Sequence, residues 1–234
     1  MNQRQGKILE SVIREYQKTG QPVASQILVK KYNFDLSPAT IRSEMMSLEE
    51  AGLLEQPHCS AGRVPTTKAY RLFVNEFLEK DLPSKEQRRI IDNLPELNQA
   101  DIVSQRLARI LADFSKNLGL SGSFGEIMDF HEFGFSSLFK DSELGQPERM
   151  KNILRGFDTL ENEFTDLFEK LNKEVEVFIG EENPIEDFRE CSLIVSGYKS
   201  DNNEGFIGVL GPKRMDYGKN IFLVEEIKKI IENN

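Results

Sequence analysis

The stretch Ser37-Pro38-Ala39-Thr40-Ile41-Arg42-Ser43-Glu44-Met45-Met46 sets one arginine among small and hydroxylated residues. Ser37 is a good helix N-cap, and Pro38 suits the first helical position, where its missing N–H costs nothing. Ile41, Met45 and Leu48 follow at i, i+4 and i+7, the spacing of a buried helical stripe. Ala39, Ser43, Met46 and Ser47 then face the other way, with Thr40 and Arg42 on the flanks. A surface of this kind fits the major groove of duplex DNA. Small side chains permit close approach, an arginine donates to base edges, and the free N–H groups of a helix start meet phosphate. An ordinary surface helix could carry the same residues, so the neighbouring elements decide.

A second cluster lies in Pro57-His58-Cys59-Ser60-Ala61-Gly62-Arg63. Leu53–Gln56 reads as a strand before it and Arg63–Pro65 as a returning strand, which makes the cluster a hairpin turn. Ser60, Ala61 and Gly62 would let the hairpin tip approach a sugar-phosphate backbone. Arg63 beside them would pair with phosphate or enter a minor groove. His58 is either a DNA contact or a partly exposed hairpin residue.

The elements before these clusters supply the frame. Ile8, Leu9, Val12, Ile13 and Tyr16 recur at helical spacing from about Arg4 to Thr19, and Gly20 stops that helix. A short second helix spans Ser25 to Tyr32 and buries Ile27 and Leu28. Three compact helices followed by a β-hairpin make a winged helix-turn-helix, for which Ser37, Ala39, Thr40, Arg42, Ser43, Met46, His58, Ser60, Gly62 and Arg63 are the expected DNA-binding residues.

Composition is compatible with that reading only when taken by region. The 234 residues carry a net charge of −9, which argues against a nucleic-acid binder. Residues 1–75, however, hold ten Lys/Arg against seven Asp/Glu, a net +3, while residues 76–234 carry −12. A DNA-facing head joined to an acidic body follows. No apolar run reaches the ~18 residues of a membrane span, and the polar start Met1–Lys7 is unlike a signal peptide, so the cytoplasm is the expected compartment. There Cys59 and Cys191 are expected as separate thiols.

Enzyme chemistry finds no support in the motifs. There is no P-loop, dinucleotide fingerprint or serine-nucleophile elbow. A zinc site from His58, Cys59, His131 and Cys191 lacks CxxC or HxxxH spacing, so no metal or cofactor is expected. A winged head appended to a catalytic domain, as in bifunctional biotin ligases, would need a glycine- and arginine-rich signature that the body does not show.

Two ordered blocks carry a family resemblance. "LSPATIRSEMMSLEEAGLLEQPHCSAGRVPTTKAYRLFV" (Leu36–Val74), with "RQGKILESVIREYQKTGQPVASQILVKKY" before it, resembles the DNA-binding head of the heat-inducible transcription repressor HrcA family. "CSLIVSGYKSDNNEGFIGVLGPKRMDYGKNIFLVEEI" (Cys191–Ile227) resembles that family's final segment, with "GVLGPKRMDY" the most specific piece. Cys59 stands where the family usually has Thr. The resemblance implies a cytoplasmic bacterial repressor of chaperone genes that binds an inverted-repeat operator, the CIRCE element, as a homodimer and is supported by the GroE chaperonin. It places the recognition segment at Ser37–Met46 and the wing at His58–Arg63.

The rest of the chain reads as an α+β body. Thr67 to about Leu78 is a fourth helix, and Lys85–Asn93 and about Gln99–Leu118 are further helices of a connector over 79–119, a plausible two-fold seam. Gly119–Gly145 lacks periodicity. Met150, Ile153, Leu154, Phe157, Leu160, Phe164, Leu167, Phe168 and Leu171 mark one or two amphipathic helices. Strands are expected at Glu174–Ile179, Ser192–Tyr198 and Gly205–Leu210, the last two joined by a turn at "KSDNNEG", and a helix near Ile221–Ile231. HrcA-like repressors are longer, with a GAF-like sensory domain and an inserted dimerising segment. Residues 120–234 are therefore expected to form an abbreviated GAF-like domain of roughly three strands under helices. The alternative function is a ligand- or chaperone-binding regulatory module with only weak DNA binding.

Overall fold

The computed structural model describes residues 1–59, 61–78, 104–124, 129–142, 144–168, 174–199 and 204–233, with 159–168 described by their backbone alone. The expected helix at Lys85–Asn93, Ser60 and the turn residues 200–203 lie outside the described residues. The chain divides into two compact units, Met1–Glu79 and Lys80–Asn234.

Helix α1 (Gln3–Thr19) opens the first unit with a reciprocal cap. The Gln5 amide N–H donates to Asn2 Oδ1 and the Asn2 N–H to Gln5 Oε1. It stops at Gly20, whose φ of 62° is the left-handed conformation that a glycine adopts without strain. Ile8, Leu9, Val12 and Ile13 are fully buried along it. Helix α2 (Ser25–Tyr32) ends at Asn33, and α3 (Pro38–Glu50) is capped by Ser37, which accepts from the Thr40 N–H at 3.1 Å. The expected stripe Ile41, Met45 and Leu48 is buried. Strands β1 (Leu54–Glu55) and β2 (Val64–Pro65) pair antiparallel, and Arg63 extends the ladder by exchanging backbone bonds with Val23 at 2.9 and 3.0 Å. Helix α4 (Thr67–Leu72) runs on through a wider π-turn at Phe73–Phe77, so the chain stays helical almost to Leu78.

Acidic side chains fasten these helices from behind. Glu15, 3% exposed, receives Lys31 Nζ at 2.5 Å and Tyr32 Oη at 3.4 Å, tying α1 to α2. Burial and the adjacent Glu15 carboxylate push the Tyr32 phenol above its ordinary range. Glu44 on α3 receives Arg4 at 2.5 Å and Gln5 at 3.1 Å, both from the start of α1.

Among the described residues the second unit holds five strands where roughly three were expected. The sheet is antiparallel throughout, in the order β4-β3-β7-β6-β5. Its strands are β3 (Leu118–Phe124), β4 (Asp129–Phe133), β5 (Glu176–Ile179), β6 (Cys191–Lys199) and β7 (Glu204–Pro212). The two additional strands, β3 and β4, occupy the segment that had shown no periodicity. Helix α5 (Ser104–Ser115) ends earlier than expected, because Lys116 turns into the left-handed region at φ 62° and Leu118 already belongs to β3. Helix α6 (Phe135–Leu138) is a single turn, and α7 (Pro147–Phe168) is one long helix rather than two. Helix α8 (Tyr217–Glu232) closes the unit under an Asp216 cap.

Helices α5 and α8 cover one face of this sheet. Gly119 makes the first contact possible, since a Cβ there would stand 2.1 Å from the Ala108 carbonyl oxygen. The opposite face carries an aromatic-rich cluster with Leu118, Leu120, Leu193, Val195 and Phe206 at its centre. Phe157 from α7 meets the rings of Phe135 and Phe188 at 5.0 Å there. The family-like piece "GVLGPKRMDY" forms the end of β7 and the turn into α8, and its polar groups work structurally. Tyr217 Oη donates to the Lys213 carbonyl at 2.6 Å and receives Ser192 Oγ at 2.8 Å, while Arg214 pairs with Asp141 at 2.5 Å.

Candidate nucleic-acid interface

Helix α3 shows the surface that its sequence promised. Ser37, Ala39, Arg42, Ser43, Met46 and Ser47 are exposed, and Thr40 is half-buried. Ala39, Arg42, Ser43 and Met46 follow at i, i+3, i+4 and i+7, so they share one face. With Pro38, and with Ser25 and Gln26 from the first turn of α2, they line a shallow groove of about 330 Å³. Among these lining residues Arg42 is the one charge, and no carboxylate opposes a phosphate. Met46, half exposed, gives the groove an apolar end. The α2 start adds polar surface, because its N-cap is Ala24 and no side chain caps its N–H groups.

Ser37 and Thr40 are already engaged with each other. Their hydroxyls lie 2.9 Å apart and Ser37 caps the helix, so both serve first to fix where α3 starts. Behind the exposed face Glu44 anchors α3 to α1, and Glu49 anchors it to the wing. The orientation of α3 is thus set by the buried stripe together with two ion pairs.

The wing departs from the sequence expectation at two of its residues. Arg63 is 8% exposed, and its guanidinium turns inward to Glu49, with Nε and a terminal nitrogen each 2.9 Å from Oε2. It clamps the base of the hairpin and does not reach the tip. Gly62 is small for a related reason. A Cβ there would lie 2.4 Å from the Val23 carbonyl carbon and oxygen and 2.8 Å from the Ala24 nitrogen. It makes room for the α1–α2 connection rather than for a nucleic acid. At the tip His58 and Cys59 are exposed, and Gln56 shapes the turn by donating to the Cys59 and Ala61 carbonyls at 3.1 and 2.9 Å.

Sequence reasoning missed Ser25 and Gln26, and it missed the anchoring roles of Arg4, Gln5, Glu44 and Glu49. The first pair had a usable signal, since in a helix-turn-helix the helix that begins at Ser25 packs beside the recognition helix. The anchoring carboxylates had none, because a glutamate on a helix reads the same whether solvated or paired.

The other candidate ligands are scattered. His131 Nε2 lies 2.9 Å from Asp129 Oδ1 at the sheet edge. Cys191 is fully buried in β6, and burial pushes its thiol up to about 12, so it holds its proton at neutral pH. Among the described residues no three His, Cys, Asp or Glu side chains are grouped to hold a metal, and no helix is long and apolar enough to cross a membrane.

Comparison with known proteins settles the lineage. Residues 1–79 match the family model described as "Winged helix-turn-helix transcription repressor, HrcA DNA-binding", and residues 66–221 match "HrcA protein C terminal domain". The chain belongs to the HrcA family. Its first unit is that family's DNA-binding winged helix, and its second is the family's C-terminal domain, a mixed helix and sheet fold. Relatives named heat-inducible transcription repressor HrcA include one from Carboxydothermus hydrogenoformans, 27% identical over 332 aligned positions that cover 99% of this chain and 97% of the relative. Another, from Natranaerobius thermophilus, is 29% identical over 97% of this chain and 95% of its own length. A relative from Clostridium perfringens is 40% identical over 119 positions, 50% of this chain and 35% of the relative. Because the first alignment runs to 332 positions against the 234 residues here, that relative holds at least 98 residues without counterpart in this chain. A crystal structure described as that of a hypothetical protein shares the fold, with a TM-score of 0.78 over 100% of this chain and 97% of that one at 19% identity.

Proposed function

We propose that this HrcA-family chain represses chaperone genes in the cytoplasm by binding an inverted-repeat operator of the CIRCE type as a homodimer. The observation that carries the proposal is the groove on α3 whose lining holds no acid, with Arg42 flanked by Ala39, Ser43 and Met46 beside the uncapped start of α2. Arg42 donates to a guanine edge in the major groove, and Ala39 and Met46 pack on thymine methyl groups. Ser43 and Gln26 supply polar contacts, while Ser37, Thr40 and the α2 start face phosphates. His58, Cys59 and Ser60 carry the wing against the backbone, with Gly62 and Arg63 setting its base. The acidic second unit is unsuited to phosphate and is assigned to protein contacts, the GroE chaperonin among them.

Fluorescence anisotropy with a CIRCE-type inverted repeat and a scrambled duplex tests this at moderate salt. A specific complex is expected, and Arg42→Ala should weaken it by ~1–3 kcal/mol while leaving the scrambled duplex nearly unaffected. Equal affinity for both duplexes in the parent protein would overturn the reading.

A further inference from the structure

Helix α7 runs from Pro147 to Phe168 with its charges ordered against its own dipole. The half spanning 147–157 carries Arg149, Lys151 and Arg155 against Glu148, a net +2, and the half spanning 158–168 carries Asp158, Glu161, Glu163 and Asp166, a net −4. A helix standing alone favours the reverse, acids at its start and bases at its end. One side of α7 belongs to the body. Ile153 is fully buried, Phe157 meets Phe135 and Phe188, and a Cβ at Gly156 would touch the Phe188 ring. Another side is open, where Pro147, Met150, Lys151, Leu154, Arg155 and Asp158 follow at helical spacing, and Leu154 is 46% exposed.

We infer that this open side of α7 pairs antiparallel with the same helix of a second copy of the chain. An antiparallel partner lays each basic half along the other's acidic half, which turns the charge order from a penalty into complementarity. A two-fold axis crossing near Gly156 brings Lys151 within one helical turn of Asp158 of the second copy, twice by symmetry, with both Leu154 side chains at the centre. A parallel partner would instead align like charges along the whole contact. Arg155 and Arg149 already pair with Asp187 and Glu190 of their own chain, so Lys151 is the cation assigned to the seam. The inference deepens the operator reading, which calls for two heads, by naming the surface that joins them.

Sedimentation velocity of the full chain tests it, over a concentration series at low salt. The parent protein should approach the mass of two chains rather than the 26.8 kDa of one. Lys151→Glu and Asp158→Lys, each made alone, should raise the dimer dissociation constant by about tenfold or more, and the double exchange should restore it. Leu154→Glu should give monomer. A monomeric parent, single variants that dimerise normally, or a double variant no better than the singles would each overturn the seam. Circular dichroism confirms that each variant is folded, and rescue by the double exchange excludes a mere folding defect. Operator anisotropy on the same samples separates the two readings. Specific binding with an intact dimer in Lys151→Glu sinks the seam alone, whereas loss of specificity in a dimeric parent sinks the operator reading alone.

Discussion

Arg42 and Arg63 are 21 residues apart and the same type, yet the fold gives them opposite work. Arg42 stands exposed on an acid-free groove, while Arg63 lies almost fully buried against Glu49. A partly buried charge pair contributes little compared with a good apolar replacement, but removing one partner strands the other. Arg63→Met leaves Glu49 without its partner and should destabilise the first unit by roughly 1–3 kcal/mol. In a domain of under 100 residues that lowers the midpoint by about 4–8 °C per kcal/mol. Arg42→Ala should leave the midpoint unchanged within a degree or two and act on affinity alone. Thermal unfolding and operator anisotropy on both variants check this double dissociation. An Arg63→Met protein as stable as its parent but deficient in binding would return Arg63 to the DNA surface. Before folding the two arginines are indistinguishable, since each sits beside small residues in a segment rich in Ser, Ala and Thr or Gly.

At the scale of elements, the wing and the sheet both turn on glycines that carry no side chain for a packing reason. Gly62→Ala would drive a Cβ into the Val23 carbonyl, which is main chain and cannot rotate away. The β1–β2 hairpin must then lift from the α1–α2 connection, at a cost of about 1–3 kcal/mol typical of overpacking. The expected result is a lower unfolding midpoint together with weaker operator binding, because the wing tip shifts with its base. Gly52→Ala is the control. Gly52 has φ +70° and open space around it, so that substitution costs only the backbone strain of about 1 kcal/mol and should spare binding. Similar midpoints for the two variants would remove the steric argument. The same physics decides what the sequence shows. Helices α1 and α3 are legible because one face is buried and one is wet, which writes a 3.6-residue period into residue types. Strand β3, "LGLSGSF", is covered on both faces, by α5 and by the aromatic cluster, so polar and apolar residues need not alternate. Gly119 and Gly122 then look like loop punctuation, although the first admits α5 and the second the Phe206 ring. The end of α5 was misplaced for a local reason, since a left-handed Lys116 leaves no mark as clear as the glycine that stops α1.

The whole molecule divides its charge as it divides its fold, with a nearly neutral winged unit at net +1 over Met1–Glu79 and an acidic body at −10 over Lys80–Asn234. One α3 presents one arginine to one groove, which is too little contact to single out an operator among many competing sites. On the proposed homodimer reading, specificity at this scale comes from geometry, with the two heads of one dimer reading two half-sites on the same face of the duplex. The second head then binds at the high effective concentration that the dimer imposes, a gain that reaches 10²- to 10⁴-fold when the spacing matches and vanishes when it does not. Inserting about five base pairs between the half-sites turns one of them roughly half a helical turn away from its head. Full-length protein should therefore bind the inserted operator no better than a duplex with a single half-site, while a further five base pairs should recover part of the loss. The salt dependence offers an independent check, since a doubly engaged dimer neutralises about twice as many phosphates. Its log–log slope should be close to twice that on the single half-site. Equal affinity and equal slope on all the duplexes would mean that each chain acts through one head, and the two-fold reading would fall with it.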